Sequence, residues 1–511
     1  MRRNLSIART LLLSLGWICS LEPALGGDRP QWGEAWSRNM VSPERNLPDS
    51  FDPASGKNIK WSAQLGTESH SSPVIGGGRV YIGTNNGNPR DLKHQGDRGV
   101  LMCFDEKSGQ LLWQLVVPKR SEDVYFDWPQ SGISSPVTVE GDRVYLVSNR
   151  GEVMCLDANG MANGNDGPFQ DEGAHMTVKP MRGTSNEPVL TLGPLDADII
   201  WLFDLPTRAG IWSHDAAHSS IVIRGDYLYL NSGTGVDNTH KKIRTPDAPS
   251  LVVLDKRTGR LVARDYEHIA PNIFHSTWCA PSLAEVNGRP LVFFGGGNGI
   301  VYAFETIDAV ATPLPAVVGL HKVWQFDFDP EAPKTNVHHY NSNRSEGPSN
   351  FYGMPVFYHQ RVYVAGGGDI WWGKNEACLK CVDATLTGDI TTNGLVWSYL
   401  LQKHVLATPA IANGLVFIAD CGRVLHCVDA ETGKACWTQE INGEAWASAL
   451  VADNKVFLGT RSGNFYVMSA TREKKLLATL DLRSPMSATA SAANGVLFVA
   501  TMKTLYALAL K

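Results

Sequence analysis

The stretch Ala407-Thr408-Pro409-Ala410-Ile411, Gly414-Leu415-Val416-Phe417-Ile418, Val424-Leu425-His426-Cys427-Val428-Asp429, Thr432-Gly433-Lys434-Ala435-Cys436-Trp437 decides the fold. It holds four short apolar runs, rich in β-branched and aromatic residues and parted by turn residues, and it reads as one four-stranded antiparallel sheet. The pattern recurs eight times, opening at Ser72-Pro73, Ser135-Pro136, Ser220-Ile221, Ala280-Pro281, Met354-Pro355, Thr408-Pro409, Ser448-Ala449 and Thr489-Ala490. The steps from 409 to 449 and from 449 to 489 are each 40 residues and define the minimal unit; longer steps carry insertions. Four-stranded units at this period predict an all-β, eight-bladed propeller. The last unit ends at Leu508-Ala509-Leu510 without a fourth strand, and Ile59-Lys60-Trp61-Ser62-Ala63 resembles one. The N-terminal strand is therefore expected to complete the last blade, which closes the ring and leaves no long unpaired edge.

Two segments carry a family likeness: Asp105-Glu-Lys-Ser-Gly109-Gln-Leu-Leu-Trp113 and Asp429-Ala-Glu-Thr-Gly433-Lys-Ala-Cys-Trp437. They resemble the tryptophan-docking repeat of the PQQ-like (quinoprotein-type) β-propellers, a family that includes quinoprotein alcohol dehydrogenases and the outer-membrane protein assembly factor BamB. The likeness covers nearly all of residues 57–511. It implies a fold and not an activity, because one fold hosts unrelated functions. In this reading Asp and Gly build a turn, Asp accepting backbone hydrogen bonds and Gly supplying positive φ. The Trp packs on the neighbouring blade.

Arg2, Arg3 and Arg9 precede the apolar run Leu11 to Ile18, and Ala24-Leu25-Gly26 offers a small-residue cleavage site, so residues 1–26 read as a secretory signal. Residues 27–56 form an arm without repeat or strand periodicity, and 57–511 a single propeller. The expected location is periplasmic or secreted; lipidation at Cys19 is disfavoured by the bulky Trp17 and Ile18 before it. No stretch approaches the roughly 20 apolar residues of a membrane helix. Lys and Arg number 46 against 51 Asp and Glu; loss of Arg2, Arg3, Arg9 and Glu22 leaves 43 against 50, a net charge of −7. That balance argues against nucleic-acid and membrane-surface partners, and a monomer is expected.

Several motifs invite chemical readings. Cys378-Leu-Lys-Cys381 has redox or metal spacing, but residues three apart on one strand point to opposite faces, and no His follows to attach a haem. Cys103, Cys155, Cys381 and Cys427 all stand two residues before the repeat Asp, as small apolar core residues. An exported chain leaves open a disulfide such as Cys421 to Cys427. The segment Asp157-Ala-Asn159-Gly160 through Asn163-Gly-Asn165-Asp166-Gly167 is rich in hard oxygen donors and is a secondary Ca2+ candidate, although Met161 interrupts the ligand pattern and a solvated turn is the commoner origin.

The residue three before each opening Pro or its equivalent defines a ring: His70, Ile133, His218, Trp278, Tyr352, Leu406, Trp446 and Met486. These residues lead into the innermost strands and are expected to crowd one mouth of the central funnel. Three long strand 2 to 3 loops open on the same face: Asn85 to Gly99, Asn231 to Pro249 and Gly366 to Ala377, the last with Asp369, Trp371, Trp372 and Lys374. The connection Asp327 to Asn350 adds His338, His339, Asn341, Asn343 and Arg344. Long loops with aromatic and polar tips carry binding sites. The candidate binding residues are His70, His218, Trp278, Tyr352, Trp446, Trp371, Trp372 and Arg344; a ring that merely plugs the channel is the competing explanation.

Two functions follow. The first is an exported, noncatalytic binding or assembly scaffold that takes a protein, peptide or glycan partner at the loop-rich mouth. The second, implied by the resemblance, is a PQQ-dependent dehydrogenase of alcohols or sugars, with Ca2+ and with Trp278 or Trp446 stacking the cofactor. The adjacent Cys-Cys pair that faces PQQ in many such enzymes is missing, and no catalytic Asp or Ca2+-ligating Glu and Asn can be assigned. The scaffold is therefore the leading expectation.

Overall fold

The apolar runs of each repeat pair in sequence order as antiparallel ladders in the computed structural model, which describes residues 26–120, 126–177, 188–215, 219–307 and 316–510. The signal assignment lies outside the described residues except for Gly26, and among the described residues no helix is long and apolar enough to cross a membrane. Eight sheets form the eight-bladed propeller. The strand Ile59–Gln64 pairs with Thr504–Leu508 and completes the last blade, as the truncated eighth repeat requires. Blades 3 and 4 gain a short fifth strand, Val318–Gly319 and Gly388–Asp389, where insertions run parallel to the outer edge. These additions cover edges that would otherwise be open.

The repeated Asp-to-Trp segment explains how neighbouring blades lock. Asp429 Oδ1 accepts the amides of Glu431 and Thr432 at 3.1 and 2.9 Å, and Gly433 follows at φ +69°. The Trp of the preceding blade lies flat on this turn: a Cβ built on Gly433 would stand 2.6 Å from Trp397 Cδ2. Each indole also donates to a carbonyl of the next blade, Trp113 to Ala158 at 2.8 Å, Trp324 to Ala384 at 3.2 Å and Trp397 to Ala430 at 3.0 Å. The same bond joins Trp61 to Glu106 at 2.9 Å, across the point of ring closure.

The cysteines follow from the same packing. Cys103, Cys155, Cys381 and Cys427 stand directly across from Trp113, Trp201, Trp397 and Trp437, beside a local register shift. Only a small side chain fits opposite an indole there, and Ala303 faces Trp324 in blade 4. All eight cysteines beyond Cys19 are free thiols, so the Cys421–Cys427 disulfide is not formed. Cys421 Sγ instead lies 3.8 Å from the Ala445 carbonyl oxygen. Burial pushes Cys155 and Cys381 up to about 12, far from the reactive thiolate range.

The arm without periodicity acquires its order from the ring. Arg29 bridges Ile75 of blade 1, Val41 bridges Val451 of blade 7, and Ser42 Oγ donates to Ala492 O of blade 8 at 2.9 Å. Arg38, 0% exposed, donates to the carbonyls of Trp32, Ser220 and Pro281 at 3.0–3.2 Å. With no carboxylate paired to it among the described residues, burial pushes its guanidinium down to about 9. The arm also meets strand 1 to 2 turns, Asp28 accepting from Gly77 N and Glu44 from Gly495 N, both at 2.8 Å. It therefore spans the face opposite the long loops.

Candidate functional site

Blade 3 presents the segment Thr234-Gly235-Val236 as a wedge between two others. Gly235 N donates to Trp212 O and Val236 N to His275 O, both at 2.9 Å, while Thr277 N donates to Thr234 O at 3.0 Å. This lattice sets His214 and His275 on either side of Gly235. A Cβ there would stand 2.8 Å from His214 Cβ and 2.7 Å from the His275 carbonyl oxygen, so the approach requires glycine. The chain then turns on Asp237, whose Oδ1 accepts Thr239 N at 3.0 Å, and returns His240 at φ +56° to the same point. His214 Nε2 and His240 Nε2 end 3.2 Å apart, and one ligand atom from each of His214, His240 and His275 falls within 4.8 Å of the others.

Carboxylates flank these imidazoles. Asp215 Oδ1 is 3.6 Å from His214 Nε2, and its Oδ2 is 3.6 Å from His275 Nε2. Asp369, 0% exposed and on the blade 5 loop, accepts His275 Nδ1 at 2.9 Å and Tyr352 OH at 2.6 Å on Oδ2. Its Oδ1 accepts the amides of Trp371 and Trp372 at 3.0 and 2.8 Å. Burial opposes the charge on Asp369, but His275 and these donors outweigh it and hold the carboxyl at about 2. Burial and then the neighbouring His275 and His240 push His214 down to about 2, and burial with Asp369 nearby pushes Asp215 up to about 6.

An aromatic wall adjoins the cluster. Trp278 stacks on Tyr352 at 5.5 Å between ring centroids, Trp371 meets Trp278 at 5.8 Å, and Trp446 meets Trp371 edge-on at 6.2 Å. His70 stacks on Trp446 at 6.3 Å, and Trp372 lies 4.7 Å from the His240 ring. Arg344 pins the blade 5 loop by donating to the carbonyls of Ile370, Trp371 and Gly373 at 2.6–3.1 Å. The loop tip leaves Trp371 40% exposed, and Arg461 sits 4.5 Å from the centre of the Trp446 ring.

The structure thus gathers His70, Trp278, Tyr352, Trp446 and Trp371 into continuous ring contact, Trp372 joins them only through His240 and His275, and Arg344 is a clamp on the loop rather than a member of the wall. His218 lies outside the described residues. Ile133 and Met486 are buried in blade cores. The blade 1 loop does not join: its Lys93 Nζ pairs with Asp196 of the blade 2 insertion at 2.6 Å. Sequence reasoning missed His214, Asp215, His240 and His275, whose spacing follows neither strand nor repeat. Among the described residues the other ligand-rich group joins Asp157 and Asp166, from the blade 2 segment read as a Ca2+ candidate, to Asp198, which lies outside that segment. Burial and the surrounding carboxylates push Asp198 up to about 6. This group sits at the end of a third strand, on the face away from the aromatic wall.

Comparison with known proteins agrees with the architecture. A family described as outer membrane protein assembly factor BamB matches residues 97–163 and 375–504. Lupanine 17-hydroxylase [cytochrome c] of a Pseudomonas species is 23% identical over 81% of this chain and 56% of its own length. Quinohemoprotein alcohol dehydrogenase ADH IIB of Pseudomonas putida is 22% identical over 76% of this chain and 53% of its own length. The chain therefore spans about half the length of these curated relatives. Among solved structures, quinohemoprotein alcohol dehydrogenase from Comamonas testosteroni superposes with a TM-score of 0.57 at 13% identity, over 96% of this chain and 81% of that one.

Proposed function

We propose that this eight-bladed propeller, which resembles the PQQ-like (quinoprotein-type) β-propellers, is an exported binding scaffold taking a protein, peptide or glycan segment on the aromatic wall of its mouth. The observation that carries this reading is Trp371: a 40% exposed indole, in ring contact with Trp278, Tyr352 and Trp446, on a loop held by Asp369 and Arg344. An exposed aromatic whose backbone is already fixed binds a partner with little ordering cost. The arm crosses the opposite face, from Asp28 beside Gly77 to Glu44 beside Gly495, so it does not cover the aromatic wall.

The curated relatives raise the PQQ-dependent dehydrogenase as the second reading, and the donor set can be tested against it. Ca2+ takes carboxylate and carbonyl oxygens, whereas the groups converging beside the aromatic wall are three imidazoles and the Asp215 carboxylate, with the Asp369 carboxylate already taken up by His275, Tyr352 and two backbone amides. The carboxylate trio of blade 2 lies on the other face. The residues present do not fit PQQ with Ca2+, and no catalytic step is derived through it.

The test uses the mature chain on peptide and glycan arrays, and separately with PQQ, Ca2+, an artificial electron acceptor and simple alcohols or sugars. Array ligands are expected to bind, and Trp371→Ala or Trp446→Ala to weaken them by about 2 kcal/mol, roughly thirtyfold. Stoichiometric retention of PQQ with alcohol-dependent dye reduction would overturn the scaffold reading, as would array binding unaltered in both variants.

A further inference from the structure

We propose that His214, His240, His275 and Asp215 form a binding site for a divalent first-row transition-metal ion, with Zn2+ in tetrahedral coordination as the ion that fits. The inference stands on the geometry of these four side chains and not on the scaffold reading.

Zn2+ bound at about 2.0–2.1 Å holds its tetrahedral ligand atoms about 3.4 Å apart. Here the His214 and His240 Nε2 atoms are 3.2 Å apart, and the Asp215 oxygens stand 3.6 Å from His214 Nε2 and from His275 Nε2. His214, His240 and His275 each place one nitrogen within 4.8 Å of the other two, and the Asp215 carboxylate reaches His214 and His275, so the four groups converge on one point that a small side-chain adjustment would close to ligand spacing.

Buried hydrogen-bonding atoms ordinarily find partners. His275 is 2% exposed, and among the described residues its Nε2 has no hydrogen-bond partner although its Nδ1 is engaged by Asp369. Asp215 Oδ1 is likewise buried without a hydrogen bond among the described residues. A carboxylate on one imidazole nitrogen, with the other nitrogen aimed into a cluster of donors, is the arrangement that orients a metal-ligating histidine. Asp369 is itself fixed by Tyr352 and by two backbone amides. Three imidazoles and one carboxylate select borderline ions of the Zn2+ class over Ca2+ or Mg2+.

The ligands come from three separate segments: the approach to blade 3, the blade 3 loop and the approach to blade 4. The outer carboxylate, Asp369, comes from blade 5. One ion therefore ties together the loops that form the mouth. It also sits beside the aromatic wall, since Trp372 lies 4.7 Å from the His240 ring and Trp371 5.6 Å from the His275 ring.

The experiment takes the mature chain without a polyhistidine tag, strips it with a chelator and titrates it with ZnCl2 by calorimetry, with metal content measured independently. CoCl2 then serves as a spectroscopic probe. One ion per chain is expected, with the intense visible bands of tetrahedral Co2+. His240→Ala, at a partly exposed loop position, and His275→Ala are each expected to weaken Zn2+ by at least about a hundredfold. Asp369→Asn should weaken it about tenfold. His339→Ala, at an exposed residue outside the cluster, should leave it unchanged. Failure of the wild-type chain to take up one Zn2+, unchanged uptake in His240→Ala, or an octahedral Co2+ spectrum would overturn the site. The two readings fail separately: zinc uptake with silent arrays sinks only the scaffold, and array binding without zinc uptake sinks only the metal site.

Discussion

Replacing Asp369 by Asn tests how the mouth is held. The amide keeps one oxygen for the amides of Trp371 and Trp372, which Asp369 Oδ1 accepts at 3.0 and 2.8 Å. It puts an NH2 where Oδ2 accepts His275 Nδ1 at 2.9 Å and Tyr352 OH at 2.6 Å. Two bonds to a charged acceptor are lost, each contributing about 1.5–3 kcal/mol. A change of His275 tautomer lets the NH2 recover one neutral bond of about 1 kcal/mol. The expected destabilisation is about 2–5 kcal/mol, close to the cost of breaking a buried ion pair. Urea unfolding followed by far-UV circular dichroism measures it from the linear dependence of stability on denaturant. Acrylamide quenching of indole emission should rise in parallel, because the Trp371 loop loses its anchor. A loss below about 1 kcal/mol with unchanged quenching would refute the claim that Asp369 organises this loop.

Three further outcomes are expected. Gly433→Ala combines a φ of +69° with a Cβ placed 2.6 Å from Trp397, so it should cost about 2–5 kcal/mol; Gly414→Ala, at φ +73° with nothing within 4 Å, should cost about 1–2 kcal/mol, and equal losses in urea unfolding would dismiss the indole contact. Burial would raise Glu152, but His175 at 3.0 Å, with Arg150 and Arg120, holds it at about 2 against an ordinary 4.5. Because the folded value is the lower one, its contribution of roughly 3 kcal/mol is present above about pH 4.5 and lost as pH falls through about 2. Acid titration of stability should show this limb in the wild type, and Glu152→Gln should lack it. Arg38→Ala leaves the carbonyls of Trp32, Ser220 and Pro281 without their donor, and the arm should become an early site of proteolysis while residues 57–510 keep their circular dichroism.

Local pattern made the ring legible. Strand alternation and the Asp-to-Trp turns depend on residues close in sequence, so the eight copies share one register, and the Ile59–Gln64 strand fills the gap left by the eighth. The same register singled out His70, Trp278, Tyr352 and Trp446, because ring positions are periodic even when their residue types differ. The arm was opaque. Arg38 and Val41 obtain their partners from blades 3, 4 and 7, hundreds of residues away, and no local periodicity records such pairings.

From the sequence alone came the blade count, the closing strand, the structural use of Asp, Gly and Trp, and the face on which the long loops gather. Only the tertiary structure decided which side chains on that face meet. His214, His240 and His275 converge because Thr234 to Val236 is hydrogen-bonded between two other segments, and Asp369 reaches them from blade 5. Closing the propeller brings distant loops to a common axis, so the identity of the site depends on long-range geometry that no repeat encodes.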